Sequence, residues 1–255
     1  QPTIRSNPLN IPDGYQEFSF PLEHKPRRVF YRGEGPGVLI LHELPGMSEA
    51  CLQLGRLIAQ EGYKVYLPLM FGQPGERNVW LNLARVCIQR EFNLWSANAP
   101  SPIANSLRAL CRHIYDECKE HGDKGIGAIG MCLTGNIVIS LMVDERLMAP
   151  ILSQPSLPLT FFSEEKKAAL GVPQADIDAA KARNIPVLGL KFEGDRVCTK
   201  ARFDTLQREF GQNFDAFIIP GDAHAVLTEH FRNEAGHPTR EALDKVLALL
   251  KTQLK

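Results

Sequence analysis

The chain has 255 residues, 44% of them hydrophobic and 23% charged, which is enough apolar material for one sizeable core and too much for a disordered chain. Twenty-nine lysines and arginines balance 29 aspartates and glutamates, so no net field holds the chain to nucleic acid or an anionic membrane. Its apolar runs, Val38–Leu41 among them, fall far short of the roughly 18 residues a spanning helix needs.

The elements follow in chain order. Tyr15–Pro21 and Arg28–Tyr31 alternate in the strand manner and are joined across Glu23-His24-Lys25-Pro26, which predicts an antiparallel hairpin within residues 1–36. From Gly37 onward, short unbroken apolar runs recur between glycines and prolines: Val38–Leu41, Lys64–Leu67, Ile126–Gly130, Leu147–Leu152, Pro186–Phe192 and Ala216–Ile219. Such runs suit strands buried on both faces of a parallel sheet. Between them, apolar residues return three and four apart. Leu54, Leu57 and Ile58 form one stripe, closed by Gly62; Leu107, Leu110, Cys111 and Ile114 form another; Leu243, Val246, Leu247, Leu250 and Leu254 form the last. The alternation predicts a single α/β domain over residues 1–255, a mainly parallel doubly wound sheet with helices on both faces. Residues 69–102, which hold Trp80 and Trp95, are expected to form an excursion that covers a pocket, and Ser153–Pro158 a loop over the C-terminal edge of the sheet.

The six cysteines, Cys51, Cys87, Cys111, Cys118, Cys132 and Cys198, contain no Cys-x-x-Cys pair. That pattern fits neither a disulfide framework nor a zinc site, and His224, His230 and His237 are spaced wrongly for ligands on one helical face. Reduced thiols point to a reducing compartment, so a cytoplasmic location is expected. No Gly-x-Gly-x-x-Gly follows the first parallel strand and there is no Walker loop, so no cofactor and no metal are expected.

One cysteine stands apart. In Ala128-Ile129-Gly130-Met131-Cys132-Leu133-Thr134-Gly135-Asn136 an apolar strand enters a Gly-x-Cys-x-Thr-Gly turn, and a helical pattern (Ile137, Val138, Leu141, Met142) follows at once. This is the strand–turn–helix context of a nucleophile elbow with cysteine in place of serine. Gly130 and Gly135 are the small residues that let the two backbones approach. A sulfur at a helix N-terminus is favoured as thiolate, and the Leu133 N–H can donate to a developing oxyanion. A nucleophile of this kind needs a base, and the base an orienting acid. Asp195 follows the run Pro186–Phe192, and His224 follows Ala216–Ile219, both just past strand ends where open α/β sheets gather reactive groups. Asp222 competes as the acid but is too near His224 along the same loop to orient it readily, and Cys198 reads as a packing residue. After the first parallel strand comes Leu41-His42-Glu43-Leu44-Pro45-Gly46. Leu44 N–H is the second candidate oxyanion donor, and Glu43, costly to bury unless used, reads either as a base or switch on the thiol or as an exposed loop acid.

On these four segments, 41–46, 130–135, Glu193-Gly194-Asp195-Arg196-Val197 and Asp222-Ala223-His224, the chain resembles the dienelactone hydrolase family of α/β-hydrolases. The resemblance implies a thiol triad of Cys132, Asp195 and His224 that cleaves a lactone or small carboxylic ester through a thioester acyl-enzyme. It further implies that Glu43 can take the Cys132 proton when substrate disturbs their contact. The family's archetype holds its substrate's carboxylate with arginines, one of them four residues after the histidine; here that position is Thr228, with Arg232 a further turn along, and Thr134 replaces the archetype's first glycine after the elbow. Trp80 and Arg232 are the expected substrate contacts, and Trp95, Phe161 and Phe162 could add apolar walls. The expected partner is a small ester or lactone, with the protein a monomer or small homo-oligomer. A catalytically silent binder or sensor on the same fold is the competing expectation, and a thiol redox sensor a third.

Overall fold

A computed structural model describes residues 11–23, 25–44, 46–75, 102–157 and 167–255. The strands are β1 (Gln16–Leu22), β2 (Lys25–Arg32), β3 (Gly37–Leu41), β4 (Lys64–Pro68), β5 (Ile126–Met131), β6 (Leu147–Ser153), β7 (Val187–Phe192) and β8 (Phe214–Ile219). The helices are α1 (Glu49–Gln60), α2 (Pro102–Cys118), α3 (Gly135–Leu141), α4 (Gln174–Ala182), α5 (Lys200–Phe210) and α6 (Pro238–Leu254).

The strands form one sheet in the order β1-β2-β4-β3-β5-β6-β7-β8. β1 and β2 pair antiparallel, as do β2 and β4, and the remaining neighbours are parallel. The expected hairpin is present but tighter than the sequence suggested. Lys25 and Pro26 already pair with Leu22 and Pro21, so the turn shrinks around Glu23, whose φ is 52°. β8 likewise starts two residues before Ala216, because an edge strand need not be apolar on both sides and Asp215 can face solvent.

The central strands explain the unbroken apolar runs. Every residue of β3, β5 and β7 is buried, because a helical layer covers each face of the sheet. Cys51, Leu52, Leu54 and Ile58 of α1 and Ala242, Leu243, Val246 and Leu250 of α6 pack on one face against Ile40, Ile129 and Leu190. Leu107, Leu110 and Ile114 of α2, Val138 and Leu141 of α3, and Phe203 and Leu206 of α5 pack on the other against Leu39, Ala128 and Val187. Ser48 caps α1 by accepting from Cys51 N, Gly62 just beyond that helix has φ 80°, and Pro238 opens α6. α4 and α5 left no stripe as clear as the others: α4 turns in only Ile177 and Ala180, and α5 interrupts its buried Phe203, Leu206 and Phe210 with the polar Arg202 and Thr205.

Chain direction across the sheet reverses between β3 and β5: β4 lies on one side of β3, whereas β5 and the strands after it lie on the other. Loops leaving the C-terminal ends of these two strands therefore diverge and leave a crevice. Leu41 and Gly130 are register partners there, which sets residues 42–44 beside the turn at Cys132. Among the described residues, no helix is long and apolar enough to cross a membrane.

Candidate active site

The turn after β5 is tight for reasons visible in its backbone. Cys132 has φ 54°, a left-handed value that costs a residue with a side chain. It opens a short 3-10 turn, Cys132–Thr134, that runs directly into α3. A methyl group on Gly130 would sit 2.4 Å from Thr134 O and 2.9 Å from Gly135 Cα, and one on Gly135 would sit 2.9 Å from Pro155 Cα. Neither glycine can carry a side chain. Thr134, which departs from the archetype's glycine, has a task of its own. Its hydroxyl accepts from Met131 N at 3.0 Å and lies 3.0 Å from Leu41 O, so it staples the turn to the end of β3.

Asp195 and His224 meet as the strand ends suggested. The Nδ1–H of His224 donates to Asp195 Oδ2 at 2.7 Å, while Asp195 Oδ1 accepts from Val197 N at 2.8 Å and Cys198 N at 3.0 Å. The Asp195 side chain is 1% exposed. Asp222 is exposed on the loop, and the carboxylate against the imidazole is Asp195. This arrangement fixes the imidazole's tautomer and leaves Nε2 to act. That nitrogen is buried and, among the described residues, meets no partner in hydrogen-bond geometry. Burial disfavours the imidazolium, but the Asp195 hydrogen bond, the weaker contact with Cys132 and the charges of both outweigh it and raise the His224 pKa to about 10. The Cys132 sulfur is thus near enough to the imidazole to add to its basicity.

The thiol has a second neighbour that sequence reasoning did not find. Cys132 Sγ lies 2.9 Å from Ser156 Oγ, and Ser156 N donates to Cys132 O at 3.0 Å. Cys132 itself is half-buried, whereas Cys51, Cys111, Cys118 and Cys198 are buried. Burial drives the thiols of Cys51, Cys111 and Cys198 upward, Cys111 to about 12, which keeps them inert at neutral pH.

Glu43 is buried, not exposed, but the structure does not bring it into hydrogen bond with Cys132. Its Oε2 accepts from Gln154 Nε2 at 2.9 Å and its Oε1 accepts from the Thr228 hydroxyl. Burial pushes its carboxyl above the ordinary glutamate value, only partly opposed by the Thr228 hydroxyl, the His224 charge and the Gln154 amide. Gln154, at φ 35°, also has its Oε1 3.4 Å from Val226 N, so one buried side chain ties the β3 loop, the β6 loop and the histidine loop together. Thr228, the position of the archetype's arginine, here serves Glu43 with a neutral hydroxyl.

His42 braces the same loop from behind. Its Nδ1 faces Glu43 O at 3.2 Å, its Nε2 accepts from Met70 N at 3.0 Å, and its ring sits edge-on to Phe71. Because Nε2 accepts, the ring must be neutral. Desolvation lowers its pKa to about 4, with Arg27 adding to that against the Glu43 carbonyl. Leu44 is half-buried and Leu133 buried; Leu133 lies in the first turn of a helical segment, where N–H groups lack intrahelical acceptors. The structure does not bring Arg232 into this cluster: its side chain is exposed and folds back on Phe231 O at 3.3 Å. Trp80, Trp95, Phe161 and Phe162 lie outside the described residues.

A crevice at the sheet's switch point, an elbow cysteine, and an Asp-braced histidine from the last two strand ends are the architecture of an α/β-hydrolase. The comparisons carry this further. The model of the dienelactone hydrolase family matches residues 25–254, and the chain belongs to that family. A Saccharomyces cerevisiae protein provisionally named a carboxymethylenebutenolidase is 25% identical over 113 residues, a stretch that covers 44% of this chain and 40% of the yeast protein. A Klebsiella pneumoniae structure provisionally named a dienelactone hydrolase superposes with a TM-score of 0.67 at 19% identity, covering 93% of this chain and 98% of its own. The Pyrococcus furiosus esterase Pf2001 gives 0.61 at 14% identity, covering 94% and 91%. At these identities the structural likeness speaks for the fold.

Proposed function

We propose that the protein hydrolyses a lactone or small carboxylic ester through a thioester on Cys132. The observation that carries the reading is the His224 imidazole, whose Nδ1–H is fixed on Asp195 at 2.7 Å while its buried Nε2 has the Cys132 sulfur as the neighbour that adds to its basicity. A ring made strongly basic by Asp195 and by the sulfur beside it is what a group that takes the thiol's proton requires.

In this reading Nε2 takes the Cys132 proton and the thiolate attacks the ester carbonyl. The carbonyl oxygen becomes an oxyanion received by the N–H groups of Leu44 and Leu133. As the C–O bond breaks, His224 returns its proton to the departing alkoxide; in a lactone that alcohol stays tethered to the acyl group. Water then attacks the thioester with Nε2 accepting its proton, the C–S bond breaks, and the acid leaves. Asp195 stays ionised throughout and holds the ring. Glu43 serves as a positioning group: through Gln154 and Thr228 it fixes the loop that carries Leu44. Because Thr228 supplies a hydroxyl where the archetype has an arginine, the preferred substrates are neutral esters and lactones over carboxylate-bearing ones.

Intact-mass spectrometry after exposure to a panel of p-nitrophenyl esters and lactones tests the reading. An acyl adduct on Cys132, absent in Cys132→Ala, is expected, with turnover in that variant lower by on the order of 10⁴-fold or more. Equal hydrolysis by both proteins would remove Cys132 as the nucleophile. Tight ligand binding without turnover across the panel would favour the silent binder instead.

A further inference from the structure

We propose that Ser156 is a second hydrogen-bond donor to the Cys132 sulfur, serving it whenever the sulfur is anionic. The proposal rests on Cys132 being the nucleophile of the reading above. The contact is Sγ to Oγ at 2.9 Å, and Ser156 grips the same residue by its backbone, N to Cys132 O at 3.0 Å. Ser156 is 2% exposed, and among the described residues the sulfur is the hydrogen-bond partner that its hydroxyl has.

A hydroxyl both donates and accepts, and it rotates without moving its oxygen. Beside a thiol it can accept the weak S–H bond. Beside a thiolate, which has no hydrogen to give, it must donate. One fixed oxygen therefore serves both protonation states, but it gives its stronger, charge-assisted bond to the anion.

The placement of that oxygen is braced from three sides. Asn136 Nδ2 donates to Ser156 O at 3.2 Å, and Pro155 fills the space that a side chain on Gly135 would take. The third brace is Arg202, the largest fully buried side chain, whose Nη1 donates to Pro155 O at 3.1 Å and whose Nε donates to Ala169 O at 2.8 Å. Burying a guanidinium is costly, and here it anchors the backbone one residue before Ser156. A general-purpose loop serine needs none of this.

The donor matters most when the sulfur departs. Water attacks the thioester carbon and gives its proton to His224 Nε2. As the tetrahedral intermediate collapses, the C–S bond breaks and sulfur keeps the electron pair. The Ser156 O–H then hydrogen-bonds to that new anion without surrendering its proton, and the acid is released, leaving a thiolate and an imidazolium whose proton can return to the sulfur. A thioester sulfur is a poor acceptor, so the bond strengthens as the leaving group forms, which is the condition for it to accelerate this step.

The test follows iodoacetamide alkylation of the Cys132 peptide by mass spectrometry against pH in the wild type, Ser156→Ala and Ser156→Thr. Loss of one charge-assisted bond is expected to lower the thiolate population about tenfold, moving the alkylation midpoint of Ser156→Ala up by about one pH unit. Ser156→Thr, which keeps the hydroxyl, restores the wild-type midpoint. The acyl-enzyme of Ser156→Ala persists about tenfold longer in intact mass. Superimposable alkylation profiles for the three proteins, at equal melting temperatures, would overturn the proposal, as would a Thr variant that behaves like Ala. Ser156→Gly carries the same comparison should Ser156→Ala not fold. Alkylation needs no substrate, so a protein inactive on every ester would sink the hydrolase reading while this measurement still reports on Ser156.

Discussion

Two carboxyl groups lie buried at the C-terminal edge of this sheet, and they are treated differently. Asp195 accepts from two backbone N–H groups and an imidazole N–H, donors that the chain cannot withdraw without unfolding the turn. Glu43 accepts from the side chains of Gln154 and Thr228, both neutral and both borrowed from distant loops. The first environment satisfies an anion and aims it at one nitrogen. The second leaves burial as the strongest influence and tilts the group toward its protonated form. An acid can thus sit within the same site either as an electrostatic brace or as a tie between loops whose carboxyl is pushed upward by burial, and the donor set decides which.

That contrast can be broken by experiment. The largest effect is expected for Asp195→Asn, which keeps the shape but offers the wrong group to Nδ1–H: kcat on a p-nitrophenyl ester falls on the order of 10³- to 10⁴-fold with KM little changed. Asp195→Asn at near wild-type rate would mean that the brace does not matter. His224→Ala should cost at least about a hundredfold as loss of a general base, read in the same assay.

An intermediate effect concerns stability in acid. His42 is fully buried with its pKa lowered from 6.5 to about 4. Its contribution is therefore present above pH 6.5 and is lost as pH falls toward 4, since the unfolded chain takes up the proton first. The loss attributable to this ring is about 3 kcal/mol across that window. Chemical denaturation of the wild type and His42→Asn at several pH values should show a flatter acid limb in the variant.

The smallest effect is expected for Glu43→Gln. A carboxyl pushed upward by burial favours the folded state below its ordinary value and loses that contribution as pH rises. The permanently neutral glutamine should raise the melting temperature by about 2–4 °C at pH 8, as a gain of about 1 kcal/mol would, with no gain at pH 4 and less than tenfold change in kcat. A collapse of activity in Glu43→Gln would instead make Glu43 a participant in the chemistry, as the family resemblance implies.

Much of this was legible in the chain because it is written locally. The runs at 38–41, 126–130 and 186–192 are strands covered on both faces, and Gly130 and Gly135 mark a turn where a methyl group would meet backbone. Cys132, Asp195 and His224 each follow a strand end, so their order could be read. Gln154, Ser156, Arg202, His42 and the Glu43–Thr228 tie could not. Their meaning lies in bonds between residues far apart in the chain, 111 positions for Gln154 to Glu43 and 185 for Thr228 to Glu43, and nothing in their immediate neighbours announces them. Of the expected loop Ser153–Pro158, Ser153 instead closes β6 and Pro158 lies outside the described residues; residues 154–157 do follow the strand, but nothing in the sequence announced that Ser156 touches the sulfur.

The left-handed backbone at Cys132 has a consequence for how this protein could decay over generations. A residue with a β-carbon held at φ 54° strains the native chain by about 1 kcal/mol relative to glycine. Cys132→Gly should therefore be inactive yet harder to melt than the wild type, whereas Cys132→Ala keeps the strain. Selection for folding alone would drift this position toward glycine, so the thiol endures there only while its chemistry is needed.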